Sequence, residues 1–408
     1  MDVLISGAGI AGPALAFWLA RAGHRVTVVE RAPRLRQGGQ AVDFRGRVQL
    51  GVLERMGLLA AVRERATHVG DTVVEDAAGR RLARLPAVFT SGDVEIVRGD
   101  LVGLLHEVTQ ADVEYVFGDG VAGLRGGEVV FERSGARRFD LVVGADGLGS
   151  VVRRLAFGVR RARHLGMYQA VFSMPEGAAE PGSAVMFSLP GVSASVHGHR
   201  GRVLGGLDFA SPELEPELGA DGLDPHRLLA ERFAGVGWRV PELLAAARRA
   251  PDFYFAPAAQ LELERWSAGP VVLLGDAAWA PGPGGMGTGL GLVGAYVLAG
   301  ELAGELAGSD GAGSDVAGSD VAGSDVAAAV AGAGRRFEAV MRPFVAEGQR
   351  QALGAEGFLV PGTRGRIWAR NQFFRMASVM PGKGLVGRLA SRAADRVPLP
   401  DYPLRVAG

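Results

Sequence analysis

The sequence contains no cysteine, which excludes disulfides, thiolate metal sites, cysteine nucleophiles and iron–sulfur clusters. It carries no excess of either charge, because 44 Lys and Arg balance 44 Asp and Glu, so bulk charge does not favour nucleic acid or anionic membranes. No uninterrupted apolar run reaches the ~18 residues of a membrane-spanning helix, and the N-terminus lacks the basic region and cleavage site of a signal peptide. These absences predict a soluble, cytoplasmic protein that binds no metal, nucleic acid or membrane.

The first pattern that is present combines a strand, a glycine-rich turn, a helix and a second strand. Residues 3–6 and 25–30 are typical of buried strands and residues 13–22 of a helix, which together predict a βαβ unit. The intervening Gly7-Ala8-Gly9-Ile10-Ala11-Gly12 permits a tight turn whose N–H groups face a pyrophosphate at a helix N-terminus. Glu30 ends the second strand, where a carboxylate can bind ribose hydroxyls. The pattern predicts a dinucleotide site without distinguishing FAD from NAD.

Two further buried strands each end at an aspartate on the carboxyl edge of the predicted sheet. Residues 140–144 precede Asp146, and residues 271–274 precede Gly275 and Asp276. A loop rich in Gly and Pro then leads to a helix predicted from about 290 to 306 and can offer N–H groups to a flavin ring. An Asp-Gly turn at a strand end is an ordinary structural feature, but the three signatures occur in the order that one flavin site requires.

The remaining patterns predict how the chain divides. Alternating apolar residues between 67 and 95 and between 166 and 209 predict an antiparallel sheet with one buried face, and residues 46–66 and 335–354 are typical of helices. The predicted fold class is α/β: a Rossmann-like FAD-binding domain with an inserted antiparallel-sheet substrate domain and a C-terminal helical segment. The predicted bounds are 1–70, 96–165 and 260–306 for the FAD-binding domain; 71–95 and 166–259 for the substrate domain; 307–334 for a flexible Gly/Ser/Asp repeat tract; and 335–408 for C-terminal helices and a tail.

These motifs resemble those of FAD-dependent monooxygenases of the para-hydroxybenzoate hydroxylase-like group, especially its actinobacterial and tetracycline-modifying members. The resemblance covers the first 306 residues and, more loosely, the helix at 335–354. It implies these cofactor contacts: Gly7, Gly9, Ile10, Ala11 and Gly12 at the pyrophosphate; Glu30 and Arg31 at the adenosine ribose; Arg98 from a helix start; Arg45 near the flavin and the NAD(P)H path; Asp146 toward FAD and the nicotinamide cofactor; Asp276 at the ribityl chain; and Pro283, Gly285, Met286 and Gly287 at the flavin ring.

The sequence departs from this group just after Asp276. Trp279 stands where the group usually has His or Tyr, the loop to Met286 is one residue shorter, and Thr288 and Gly289 occupy the region where an Asn is common. We expect these differences to affect where the reactive edge of the flavin ring lies, and not whether the flavin binds.

The resemblance implies a single-component enzyme, a monomer or weak homodimer. NADPH or NADH would reduce non-covalently bound FAD, and O₂ would then form a flavin hydroperoxide that oxygenates an aromatic, polycyclic or polyketide-like natural product. The flavin carries this chemistry, so no catalytic side chain is assigned.

Candidate substrate contacts lie in the predicted inserted sheet. Tyr168, Met186 and Phe187 are suited to an aromatic pocket, although core packing explains them equally well. His197 and His199 are two residues apart on a predicted strand and so share a face, where they could deprotonate a substrate hydroxyl; a structural role in the sheet is the ordinary alternative.

Other functions on the same fold stay open. A Baeyer–Villiger oxygenase has the same sequence signatures, a reductase or dehydrogenase would consume no O₂ in turnover, and a non-enzymatic flavin-binding protein would not be reduced by NADPH. The Trp-x-Trp-x-Ile-Pro run of flavin halogenases is absent.

Overall fold

The computed structural model describes residues 1–36, 38–87, 91–159, 162–199, 201–211, 224–284, 286–311, 319–379 and 395–404. The helices are α1 (Ala11–Arg21), α2 (Gly46–Arg55), α3 (Leu59–Glu64), α4 (Arg98–Glu107), α5 (Val151–Phe157), α6 (Pro225–Arg232), α7 (Val240–Ala247), α8 (Gly287–Gly311), α9 (Ser319–Ala352), α10 (Ala355–Leu359) and α11 (Arg364–Val379). The strands are β1 (Asp2–Ser6), β2 (Arg25–Glu30), β3 (Ala41–Phe44), β4 (Thr72–Glu75), β5 (Arg81–Leu85), β6 (Val94–Val97), β7 (Glu114–Phe117), β8 (Val121–Arg125), β9 (Glu128–Phe131), β10 (Ala136–Arg138), β11 (Leu141–Gly144), β12 (Arg163–Met174), β13 (Ala184–Leu189), β14 (Val192–His199), β15 (Arg202–Ala210), β16 (Tyr254–Gln260), β17 (Ser267–Ala268) and β18 (Val271–Leu273).

A six-stranded sheet holds the glycine-rich turn and both predicted aspartates. Its order is β17-β18-β11-β1-β2-β7, and all neighbours are parallel except β17 and β18. Strands β1 and β11 are continuous apolar runs because helices and loops cover both faces of a parallel sheet, and Val3, Leu4 and Ile5 are fully buried. Since the strands are parallel, β1, β11 and β18 all end at one edge of the sheet.

Helix α8 lies in the main core between α1 and α9. It has the length and composition of a membrane-spanning helix over Gly287–Gly308, but most of that stretch is buried inside the protein. A buried core helix needs no polar face, which accounts for its apolar sequence.

The second large sheet has seven strands in the order β16-β12-β15-β14-β13-β4-β5. Its pairs are antiparallel except for the parallel pair β4 and β13. Helices α6 and α7 cover one face, where alternate strand residues such as Phe172, Val196 and Leu207 form a separate core. The opposite face is turned toward the six-stranded sheet and contains more polar residues, as half-buried strands with period-two patterning require.

Two small sheets complete the described chain: β3 with β6, and β8, β9 and β10. The pairing of β6 with β3 places residues 94–97 beside 41–44 and outside the seven-stranded sheet, although residues up to 95 were predicted to belong to it. The helix predicted over 46–66 is instead two helices, α2 and α3, because Gly57 adopts a positive φ of 71° between them.

The repeat tract differs from the prediction of a flexible segment. Residues 307–311 continue α8 and residues 319–334 begin α9, so the described part of the tract is helical. The prediction of flexibility relied on the Gly, Ser and Asp residues of the tract. The tract also contains many Ala residues, and Ala has the highest helix propensity of all residues. Ala329, Val330 and Ala333 are buried against the rest of the core, and this packing stabilises the helix.

Candidate functional site

One cavity of about 1290 Å³ runs from the edge of the six-stranded sheet to the seven-stranded sheet. Its wall contains the turn after β1, the ends of β2 and β11, and the start of α4. Strands β12 and β16, the loop before α8, and α10 complete it. The volume exceeds the ~300–1,000 Å³ of ordinary ligand pockets, which fits an extended cofactor with a second small molecule beside it.

The glycine-rich turn has the geometry that a pyrophosphate requires. Gly7 has a φ of +112°, and a Cβ on it would lie 2.5 Å from the carbonyl oxygen of Ala145. A Cβ on Gly12 would lie 2.1 Å from the carbonyl oxygen of Gly7, so Gly12 packs beneath the turn. A Cβ on Gly9 would meet only the Arg98 guanidinium, at 3.8 Å, so this side of the turn is open to the cavity. No side chain caps the N-terminus of α1, which leaves its N–H groups to an anion.

Glu30 is held at the end of β2 by the backbone. Its two carboxylate oxygens accept hydrogen bonds from the N–H groups of Ala8 and Ala32, each at 2.9 Å, while the side chain lines the cavity. Arg31 also lines the cavity but forms an exposed ion pair with Glu132 at 2.8 Å. The carboxylate is therefore fixed beside the glycine-rich turn, in the position of a ribose-binding acid.

Arg98 and Asp276 face each other across the same region. Arg98 is the first residue of α4, and its guanidinium forms no ion pair with any described residue. Asp276 lies in the 3₁₀ turn that follows β18 and opens into the cavity. Desolvation by the surrounding protein raises the pKa of Asp276, and the positive charge of Arg98 opposes this effect. The pair therefore places one cation and one acid on the wall of the same cavity.

Asp146 is engaged by its own loop. Its carboxylate accepts hydrogen bonds from the Ser150 hydroxyl and from the N–H groups of Val151 and Val152, the latter two at 2.8 and 3.2 Å. Asp146 therefore supplements Ser150, the N-cap of α5, in satisfying the first N–H groups of that helix. Buried Arg153 then donates to the carbonyl oxygens of Leu148 and Ala277. Arg153 thereby ties the loop after β11 to the turn that carries Asp276, a contact that the sequence motif did not reveal.

Arg45 lies on the cavity wall in an acidic setting. Its Nε contacts Asp43 at 2.5 Å, and Asp43 and Glu95 also line the cavity. Burial raises the pKa of Asp43 and of Glu95, and Arg45 lowers both. The arginine predicted near the NAD(P)H path is therefore already paired with a carboxylate.

Two glutamines fix the Gly/Pro loop. The Gln260 amide donates to the carbonyl oxygens of Pro281 and Gln349, both at 2.8 Å, and the Gln349 amide donates to those of Leu261 and Trp279, both at 2.9 Å. Pro283 and Gly287 line the cavity, and Gly285 lies outside the described residues.

Two side chains near the Gly/Pro loop, Met286 and Trp279, lie in the protein core and not on the cavity wall. Met286 is buried beside α2, where Gln49 contacts its sulfur at 3.8 Å, and it is not part of the cavity wall. The Trp279 indole is fully buried and packs against Trp266 and Phe337. The departure from the family at residue 279 therefore lies in the core and not against the cofactor.

Among the predicted substrate residues, Tyr168 alone is part of the cavity wall. Its ring lies on the other face of the sheet, in the core with Phe209 and Phe255. Met186 and Phe187 do not line it: Met186 packs in a small cluster with Phe374, and Phe187 stacks on Trp238. Gln169, which the sequence did not single out, does line it.

The two histidines share a face of β14, as expected, with stacked rings 6.3 Å apart. They also lie off the cavity wall. Burial lowers the pKa of each to about 4, so both are neutral near pH 7. The structure therefore places neither histidine on the cavity wall, and their burial fits the structural role in the sheet that was the alternative.

Comparison with known proteins agrees with this geometry. Residues 1–189 match the FAD binding domain family. The chain is 42% identical to an uncharacterised protein of Mycobacterium tuberculosis over 324 residues, which are 76% of this chain and 86% of that relative. It is 35% identical to a flavin-dependent monooxygenase of an unknown prokaryotic organism over 74% of this chain and 80% of that relative.

A solved structure, the tetracycline destructase Tet(51), superposes with a TM-score of 0.80 at 30% identity, and the match covers 98% of this chain and 99% of that one. Together with the open pyrophosphate turn, the fixed acid at Glu30 and the continuous cavity, these likenesses show that the chain belongs to the flavin-dependent monooxygenases of the para-hydroxybenzoate hydroxylase-like group, and that it is an FAD-dependent oxidoreductase.

Proposed function

We propose that this monooxygenase is a single-component enzyme that uses NADPH or NADH and O₂ to insert one oxygen atom into an aromatic, polycyclic or polyketide-like small molecule. The observation that carries the proposal is the continuity of the cavity. One end has the glycine-rich turn and Glu30, and the other has the strand surfaces of β12 and β16. A cofactor and a substrate can therefore meet without leaving the protein.

At the cofactor end, the N–H groups of residues 7–11 bind the pyrophosphate, and Glu30 accepts hydrogen bonds from the adenosine ribose. Arg98 adds positive charge beside the phosphates, as its distance from Gly9 allows. Asp276 binds the ribityl chain, Asp146 holds its loop against the flavin, and the backbone at Pro283 and Gly287 contacts the ring. Bound FAD supplies the redox chemistry, taking two electrons from the nicotinamide and activating O₂.

At the other end, the protein orients the substrate and excludes water. Helix α10 and strand β12 pack together, and Phe358, Leu359 and Gln169 all line this part of the cavity. Excluding water from the substrate end would limit unproductive loss of the activated oxygen as peroxide. We infer that residues 71–93 and 166–259 form the substrate-binding part. The tetracycline destructase likeness supports a polycyclic substrate for the same part.

The balanced reaction consumes one substrate, one O₂, one NAD(P)H and one proton, and yields oxygenated substrate, water and NAD(P)⁺. The test uses FAD-loaded protein, NADPH, ¹⁸O₂ and a panel of polycyclic aromatic compounds that includes tetracycline. We expect at least one compound to accelerate NADPH oxidation and to gain one ¹⁸O atom by mass spectrometry. NADPH oxidation without ¹⁸O in any organic product would contradict the proposal.

A matched pair of arginine variants tests the cofactor assignment. Arg98→Met removes one cation of the cavity wall, the one beside Gly9 and Asp276. Arg125→Met removes an exposed arginine of β8 that does not line the cavity. We expect the first to weaken FAD binding roughly 10-fold, about 1.4 kcal/mol, and the second to leave it unchanged. If the two variants bound FAD with equal affinity, Arg98 would not contribute to FAD binding.

A further inference from the structure

A row of polar side chains crosses the seven-stranded sheet. Gln169 of β12 lies opposite Asp208 of β15, Asp208 lies opposite Ser193 of β14, and Ser193 lies opposite Ser188 of β13. Directly opposite residues on neighbouring strands share a face. The residues beside them in sequence, such as Tyr168 and Phe209, point to the other face and form the core under α6 and α7.

The face that carries this row is the cavity face. Gln169 lines the cavity at one side of Asp208. At the other side, the Ser193 hydroxyl donates to the carbonyl oxygen of Leu359 at 2.6 Å, and Leu359 lines the cavity as well. Asp208 does not itself line the cavity. It lies directly behind the wall, between Gln169 and Ser193, and its side chain is partly accessible.

The Asp208 carboxylate forms no ion pair with a described residue. Its Oδ1 atom is buried and has no hydrogen-bond partner among the described residues. Burial raises the pKa of Asp208 to about 7, and a hydrogen bond with Gln169 opposes that rise. The buried cation of this face, Arg370, instead donates to the Ser188 hydroxyl and to the carbonyl oxygen of Phe358, each at 3.0 Å. Buried polar atoms in folded proteins nearly always have a partner, so this oxygen is available to a donor on a ligand.

We propose that Asp208, with Gln169 beside it, determines specificity by binding a basic nitrogen on the aromatic substrate. The inference rests on the proposed function, since it concerns the substrate of that same site. A protonated amine supplies both the missing N–H donor and the missing positive charge, and charge-assisted hydrogen bonds of this kind are short and strong. The Gln169 amide accepts or donates a second hydrogen bond at the same edge of the ligand.

The substrate preference should depend on pH. Protonation of Asp208 removes the charge that attracts the amine, so amine binding should strengthen as pH rises through about 7. The other titratable or charged groups on elements that face this side of the sheet are Tyr254, His197, His199, Arg202, Glu356 and Arg370. The two histidines stay neutral above about pH 4 and so do not account for a change near neutrality.

The test is affinity selection with FAD-loaded protein and a library of polycyclic aromatic compounds in matched pairs, each with and without a basic amine. Tetracycline and its dedimethylamino analogue form one such pair. We expect wild-type protein to retain the amine member at least roughly 10-fold better, more at pH 8 than at pH 6. Asp208→Asn should lose this preference and its pH dependence while it still binds FAD. Asp112→Asn, an exposed aspartate outside the cavity, is the control and should behave as wild type.

The outcomes separate this inference from the proposed function. An amine preference that disappears in Asp208→Asn, without oxygenation of any retained compound, supports the binding role and contradicts the monooxygenase reaction proposed for this cavity. Oxygenation of compounds with no amine preference supports the reaction and overturns the role of Asp208. Retention of no library member, or an Asp208→Asn variant with the wild-type preference, also overturns it.

Discussion

The two ends of the cavity are built in different ways. The cofactor end comes from short contiguous motifs, and the contacts proposed for it are backbone groups of residues 7–11 with the fixed acid Glu30. The substrate end is assembled from side chains that meet only through strand register, such as Gln169 with Asp208. A site built from backbone groups tolerates changes in neighbouring side chains. It does not tolerate a Cβ added to a glycine whose backbone packs closely or faces the ligand. A side-chain site can change its chemistry through one substitution, which allows one fold to serve many substrates.

The largest effect is expected from Gly12→Ala. The new methyl group would lie 2.1 Å from the Gly7 carbonyl oxygen, and neither strand β1 nor helix α1 can move without disturbing the sheet. We expect FAD affinity to fall by at least roughly 100-fold, about 2.7 kcal/mol, with a lower melting temperature. FAD titration and thermal unfolding measure the two effects. Normal FAD uptake by the Gly12→Ala variant would show that backbone packing does not govern the cofactor end.

Gly9→Ala separates binding from packing. Its methyl group would meet only the Arg98 guanidinium, at 3.8 Å, so the FAD-free protein should unfold at the wild-type temperature. The same methyl group occupies the side from which a pyrophosphate approaches, so FAD affinity should fall roughly 10-fold, about 1.4 kcal/mol. Gly103→Ala is the control, because its Cβ would contact nothing within 4 Å and Ala favours a helix. Unchanged FAD affinity in Gly9→Ala would place the pyrophosphate elsewhere.

At the substrate end, Asp208→Asn should stabilise the protein as pH rises. The pKa of Asp208 is raised from 3.8 to about 7 in the folded protein, so its stabilising contribution is complete below about pH 4 and is lost as pH rises through about 7. Asparagine does not ionise and avoids that loss. Without substrate, the variant should melt roughly 2–4 °C above wild type near pH 8 and much closer to it near pH 5. Asp112→Asn should show no such difference, and a pH-independent offset in Asp208→Asn would contradict the burial of its charge.

The sequence predicted the fold through its local patterns. The βαβ unit, the strands that end before Asp146 and Asp276, and the antiparallel strands of residues 184–210 are all present, because hydrophobic periodicity reports directly on burial. The helical structure of the described parts of the tract, residues 307–311 and 319–334, was missed, because the stabilisation of α9 depends on contacts with α8 that no local composition contains. The division of α2 from α3 depended on the conformation of Gly57, which a periodic pattern does not reveal.

The candidate site was predictable where a motif specifies backbone geometry. Most of the predicted cofactor residues line the cavity, whereas Gly12 and Met286 lie behind its wall. Residues such as Arg153, Gln260 and Gln349 were missed since each bonds to carbonyl groups distant in sequence. His197 and His199 were chosen by chemical type, but their position along β14 puts them off the cavity. Register, and not residue type, selects the side chains of the substrate end.

The smallest effect is expected at Trp279, where the sequence departs most visibly from its family. The indole contacts Trp266 and Phe337 in the core, and its N–H has no partner among the described residues. Trp279→Phe removes that unpaired donor and leaves a small void, two opposing effects that should change the free energy of unfolding by about 1 kcal/mol. FAD affinity should change by less than roughly twofold, because the side chain points away from the cavity.

Trp279→His sharpens this prediction, because it restores a residue that is usual in the group. Imidazole brings polar atoms into an apolar core and leaves a larger void, so this variant should be less stable than Trp279→Phe by about 1–3 kcal/mol. Denaturant unfolding and FAD titration of both variants give the comparison. If Trp279→Phe loosened FAD more than roughly 10-fold with normal stability, a core side chain would control the cofactor through the Gln349 contact with residue 279. In that case a side chain, and not only the backbone, would determine FAD binding at the Gly/Pro loop, and the difference between the two ends of the cavity would not hold there.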